Sequence, residues 1–141
     1  MTEAVLDASV FVAAHVRAEV HHEAAVALVA SVPEGQPFVV PSLFRAEVVA
    51  AFARRAFPDE TIDAVVSLLA TPKFAYESVD DALVDEALKI ARKGSLRAYD
   101  AIYAAVAVRR EATLLTLDAE LAERLRVACP RLRVLPKRRR K

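Results

Sequence analysis

The chain has 141 residues, 55% of them hydrophobic and 28% charged, which suits a single packed domain and is incompatible with a disordered chain. It has only two glycines, Gly35 and Gly94, so neither a G-x-G-x-x-G turn nor a P-loop can be written, and the usual dinucleotide and NTP-binding folds are excluded. The net charge of +1 hides an asymmetry: the last five residues, from Lys137 on, are all basic, and without them 15 basic residues face 19 acidic ones, a net of −4.

In chain order, residues 3–7 form a short apolar run ending in Asp7 and predict a strand. Residues 9–17 and 22–32 have helical apolar spacing, the second closed by Pro33 and Gly35. Residues 38–41 predict a second strand. Residues 43–56 predict a strongly apolar helix, with Ser42 as its N-cap and Pro58 as its stop. A further helix over 58–71 ends at Pro72. Residues 74–79 alternate like a strand, and 80–93 predict an amphipathic helix ended by Gly94. Residues 95–110 predict a second very apolar helix, 113–117 a strand, 118–128 a helix and 132–135 a last short strand.

Strands alternate with helices, and the strands are continuous apolar runs. That pattern predicts an α/β domain with a mainly parallel sheet of about five short strands, covered by helices on both faces. No repeat or long linker divides the chain, so the domain is expected over residues 1–136, with a basic tail over 137–141. The tail suits a nucleic-acid partner and suits a solvated terminus equally well. Cys129 is the sole cysteine, with no disulfide partner and no second thiolate for a metal. No cationic stretch precedes the first apolar residues and no run approaches the ~20 residues needed to span a bilayer. A cytoplasmic location without membrane contact is expected.

In parallel sheets, ligands bind beyond the carboxyl ends of the strands, where the strand order reverses. Asp7 closes the first strand and Asp118 follows the fourth. If those strands are neighbours, both carboxylates face one crevice. Each also has a simpler reading as the N-cap of the helix that follows. Two helical acids are harder to explain that way. Glu47 has Leu43, Phe44, Ala50 and Ala51 three and four residues away, where an exposed glutamate ordinarily has polar neighbours. Asp100 sits inside a helix, where Asp is a poor former, beside Leu96, Arg97, Tyr103 and Ala104. A salt bridge to Arg97 is the alternative there. A shared hard cation such as Mg²⁺ or Mn²⁺ is a common cause for all four, because it takes oxygen ligands and neutralises clustered carboxylates. His15, His21 and His22 have no recognisable ligand spacing and read as surface or helix-start residues.

These pieces resemble a known family. VLDASVFVAA (5–14) is similar to the opening of a PIN domain, where a strand delivers an Asp and a Ser follows two residues later. FVVPSLFRAEVVAAF (38–52) resembles the second strand and the helix bearing the family's Glu. LRAYDAIYAAVA (96–107) matches its L-x-x-x-D-A helix, and LLTLDAEL (114–121) its T-x-D segment. The likeness spans nearly the whole chain in the right order and extends to VapC-type toxins, which carry little beyond the domain.

The resemblance implies a metal-dependent ribonuclease, the toxin of a toxin–antitoxin pair. Carried over by position, Asp7, Glu47, Asp100 and Asp118 are both the catalytic and the metal-binding residues. Ser9 and Thr116 supply hydroxyls that support those carboxylates or the phosphate, and Glu120 is the fallback for Asp118. The implied cofactor is Mg²⁺ or Mn²⁺, which orients a water and stabilises charge on the phosphate in an in-line displacement. The implied partners are an RNA substrate, a small antitoxin and a second copy of the chain. A haloacid-dehalogenase-like phosphotransferase would need a second Asp where Ser9 stands. A non-catalytic interaction module, with the acids serving structure or a basic partner, is the alternative from a different class.

Overall fold

In a computed structural model of the protein, residues 2–137 are described. In chain order they form β1 (Ala4–Leu6), α1 (Ala8–His15), α2 (His22–Ala30), β2 (Phe38–Pro41), α3 (Phe44–Arg54), α4 (Asp59–Leu69), β3 (Phe74–Glu77), α5 (Asp81–Gly94), α6 (Ala98–Arg109), β4 (Thr113–Leu115), α7 (Ala119–Ala128) and β5 (Val134–Leu135). Apart from Lys137, the basic run 137–141 lies outside the described residues. No helix among the described residues is long and apolar enough to cross a membrane.

The five strands form one all-parallel sheet in the order β3-β2-β1-β4-β5. Successive strand residues point to opposite faces, and Ala4, Val5, Leu6, Val39, Val40, Leu114 and Leu115 are all buried. Both faces of the sheet are therefore covered, which is why these strands are continuously apolar rather than alternating. Phe11 of α1, Phe44 of α3 and Phe74 of β3 make one aromatic cluster, each centroid within 6 Å of the other two. The alanine-rich α6 packs against β1, β2 and β4, and also against α5.

The chain steps outward from β1 to β2 to β3, then returns to lay β4 on the other side of β1. The order reverses between β1 and β4, whose register pairs Leu6 with Leu115. Asp7 and Thr116, one residue further on, leave the sheet side by side. The condition set by the sequence for a shared crevice is met.

Two local expectations need correction. Ser42 is not the cap of α3: Leu43 holds that position without a side-chain bond, while Ser42 Oγ accepts from the Val79 backbone N–H at 3.4 Å. Nor does Gly94 end α5 by a left-handed turn. It is the last helical residue, and Ser95 takes the left-handed conformation at φ 54°. Gly94 is required by packing instead, because a Cβ there would stand 2.9 Å from Ala128 Cβ of α7. The αL residue Ser95 and the extended Arg97 delay α6 until Ala98, three residues later than its apolar pattern predicts.

Candidate functional site

Each of the four predicted acids sits at the start of a helix. Asp7 and Asp118 are the N-caps of α1 and α7, and Glu47 and Asp100 lie in the first turns of α3 and α6. Three of those helices directly follow a strand of a parallel sheet, so they begin at its carboxyl edge. The positive ends of their dipoles favour the carboxylates placed there.

The capping bonds and the shared crevice are both real. Asp7 Oδ1 accepts from the Ser9 N–H at 3.3 Å, and Asp118 Oδ1 accepts from the Leu121 N–H at 3.0 Å. The other oxygen of Asp7 accepts from the Thr116 hydroxyl at 2.9 Å, and the Asp118 backbone N–H donates to that same hydroxyl at 3.2 Å. Buried Thr116 thereby joins the acid after β1 to the segment carrying the acid after β4. The side chain of Ser9 is exposed at the rim.

Glu47 is tied down by a residue of another helix. The buried Tyr103, one turn beyond Asp100 on α6, donates its hydroxyl to Glu47 Oε1 at 2.7 Å. The apolar neighbours of Glu47 hid this partner from the sequence, because a tyrosine on an alanine-rich helix reads as core. Its polar tip was the available signal: a buried phenol needs an acceptor.

Asp7, Glu47 and Asp118 line one cleft of about 970 Å³. Asp100 lines an adjoining pocket of about 200 Å³, and Asp118 and Arg97 border both. The acids act on one another. Burial raises Asp7 above the usual carboxylate range against its Thr116 and Ser9 hydrogen bonds, and the charge of Asp118 raises it further. Burial also raises Glu47, opposed by the Tyr103 bond and assisted by the charges of Asp7 and Asp100. Asp100 is pushed up to about 6 by burial and then by Asp7 and Asp118, with Arg97 pulling the other way. Burial and repulsion thus outweigh Arg97. Among the described residues no salt bridge joins Asp100 to Arg97.

Among the described residues no three His, Cys, Asp or Glu side chains stand close enough together to hold a metal ion as they are. The chemistry of the donor set nonetheless fits a hard divalent cation: all the donors are carboxylates, Asp7, Glu47 and Asp118 on one cleft and Asp100 in the adjoining pocket, and burial and neighbouring carboxylates raise Asp7, Glu47 and Asp100 above the usual range. A cation among them removes the cause of that repulsion. Glu120, the fallback for Asp118, lines the smaller pocket together with Asp100 and Asp118, its carboxylate bound by Arg124 at 2.7 Å. His15 and His22 each donate a ring N–H to a backbone carbonyl, of Phe11 and Ala13 respectively.

The PIN domain family model matches residues 4–126. No curated protein matches the sequence. Among solved structures, the chain is similar to Mycobacterium tuberculosis VapC20, a sarcin-ricin loop cleaving toxin, at 19% identity and a TM-score of 0.71, covering 86% of this chain and 94% of that one. It is also similar to a toxin–antitoxin complex from Klebsiella pneumoniae, at 15% identity and a TM-score of 0.68, over 95% of this chain and 97% of that one. A third likeness is to Rickettsia felis VapBC2 bound to a fragment of its promoter DNA, at 14% identity and a TM-score of 0.65, over 94% and 97% of the two chains.

Proposed function

The chain belongs to the PIN domain family, and on that premise we propose that it is a metal-dependent ribonuclease, the toxin of a toxin–antitoxin pair. The observation that carries the reading is the gathering of four acids at the strand-order reversal, Asp7, Glu47 and Asp118 on one open cleft and Asp100 in the pocket that adjoins it at Asp118. The likeness to a sarcin-ricin loop cleaving toxin and to a toxin–antitoxin complex supports the biological half.

In this reading Asp7, Asp100 and Asp118 hold Mg²⁺ or Mn²⁺ directly, and Glu47 does so directly or through water. The bound cation supplies Lewis acidity to the phosphate and lowers the pKa of the attacking water. Thr116 orients Asp7, and Tyr103 orients Glu47, so that each would present its free lone pairs to the cation. Ser9 at the rim is placed to donate to a phosphate oxygen. The substrate class is single-stranded or loop RNA. The protein acts in the cytoplasm as a homodimer, and a small antitoxin covers the cleft by presenting a cation, preferably a bidentate guanidinium, to the acids.

Purified protein should cut RNA with Mg²⁺ or Mn²⁺ and stop with EDTA, and Asp7→Asn and Asp100→Asn should each remove most of that activity while the fold persists. Wild-type rates in both variants, in preparations free of contaminating nuclease, would overturn the assignment. Expression alone should slow growth, and co-expression of the adjacent gene should relieve it. Growth unaffected by the protein would remove the toxin reading and leave the chemistry standing.

A further inference from the structure

The larger cleft is not uniformly acidic. Beyond the carboxylates it is lined by Arg97, the N-cap of α6, and Tyr99 in its first turn, and by Arg54 and Arg55 where α3 ends. Arg55 is committed, with Nε 2.6 Å from Glu19. Arg54 and Arg97 have no ion-pair partner among the described residues. Arg54 stands seven residues after Glu47, two turns on and ~10.5 Å along the same helix face. The residues between them that line the cleft, Ala50 and Ala51, have minimal side chains, so this stripe runs from carboxylate to guanidinium over a shallow floor.

Tyr99 is the second observation. It is 60% exposed, next in sequence to an acid of the site, and it lines this cleft rather than the core. An exposed aromatic flanked by unpaired arginines is what a single nucleic-acid strand uses: bases stack on the ring while cations take the phosphates. An antitoxin that presents a guanidinium to the acids gains nothing from two further free guanidiniums in the same cleft, whereas a phosphodiester strand does.

Resting on the ribonuclease reading, we propose that the cleft carries one RNA strand past the acids, with the base beside the scissile phosphate stacked on Tyr99. Arg97 grips the backbone next to the reacting phosphate, and Arg54 grips it two helical turns away. Tyr99 then sets which loops and ends are cut, by requiring an unstacked base at that position.

The test is fluorescence anisotropy of a labelled single-stranded RNA in EDTA, over a series of salt concentrations. Tyr99→Ala should weaken binding about 5- to 100-fold, or ~1–3 kcal/mol at ~1.4 kcal/mol per tenfold. Tyr99→Phe should keep wild-type affinity, and neither variant should alter the salt slope. Arg54→Ala should flatten the log–log slope by about 0.7 for the phosphate lost. A fully abasic strand of equal length should bind wild type and Tyr99→Ala alike. If wild type cleaves RNA with Mg²⁺ but Tyr99→Ala and Arg54→Ala bind RNA unchanged, the strand runs elsewhere, and the inference falls while the nuclease reading stands. If those substitutions instead abolish rescue by the adjacent gene product and spare RNA binding, the surface belongs to a protein, with the same consequence. Wild type that neither binds nor cuts RNA would overturn both.

Discussion

The Tyr103 hydroxyl of α6 donates a 2.7 Å hydrogen bond to Glu47 of α3, 56 residues away in sequence. Burial and the neighbouring carboxylate drive the phenol far above its ordinary pKa, so it remains a donor at every working pH. Its role is to aim Glu47. Tyr103→Phe keeps the ring and its packing, removing the donor alone. Partners of this kind are worth about 10–100-fold in metal affinity or activity, so the variant should fold normally and need more Mg²⁺ for half-maximal cleavage. An unchanged Mg²⁺ titration would show that Glu47 needs no such support.

Thr116→Val addresses the link between Asp7 and Asp118. The substitution is close to isosteric, but it removes the donor to Asp7 and the acceptor for the Asp118 N–H at a buried position. A buried group left unpaired costs ~1–3 kcal/mol. Urea denaturation should show a loss in that range, together with slower cleavage. A neutral effect on both would mean that water replaces the hydroxyl without consequence.

Gly94→Ala tests the contact between α5 and α7. Alanine is the better helix former by ~1 kcal/mol, which alone predicts stabilisation. The new Cβ would meet the Ala128 Cβ at 2.9 Å, and neither atom belongs to a side chain that can swing away. Overpacking costs ~1–3 kcal/mol and should win, giving a lower melting temperature. A raised one would show that the helices separate easily.

These residues also show what the sequence made legible. The strand at Phe38–Pro41 has the bounds its apolar run predicts, and Asp7 and Asp118 follow β1 and β4 as the alternation of elements predicts. Asp100, read as lying inside a helix, stands instead in the first turn of α6, where Asp is favoured. The corrections share a cause. Ser42 satisfies the backbone of Val79, Gly94 yields to Ala128, and Tyr103 answers to Glu47. Each partner is more than thirty residues away, and local pattern carries no information about it. Arg54 is the reverse case: its seven-residue spacing from Glu47 was present in the sequence, but only the cleft reveals that the shared face is open.

Asp100 provides a test of the acid cluster that needs no substrate. In the unfolded chain an Asp releases its proton near ~3.9, whereas in the folded protein Asp100 holds it until about 6. Between those values the folded state binds more protons than the unfolded one, so stability falls as pH rises through the window and stays low above it. Asp7 and Glu47 are raised as well and act in the same direction. Asp100→Asn cannot ionise, and its loss also relieves the other acids. In EDTA the variant should therefore melt higher than wild type at pH 7, with the difference shrinking toward pH 4. Mn²⁺ should reverse the order. A ligand that binds only the folded state contributes ~2.7 kcal/mol at a hundredfold excess over its Kd, which wild type should receive and the variant largely miss. A stabilising pairing of Asp100 with Arg97 gives the opposite pattern: the metal-free variant melts no higher than wild type at pH 7, and Mn²⁺ moves both proteins equally. Four melting curves, two proteins with EDTA and with Mn²⁺, separate a cation site from a helix-surface ion pair.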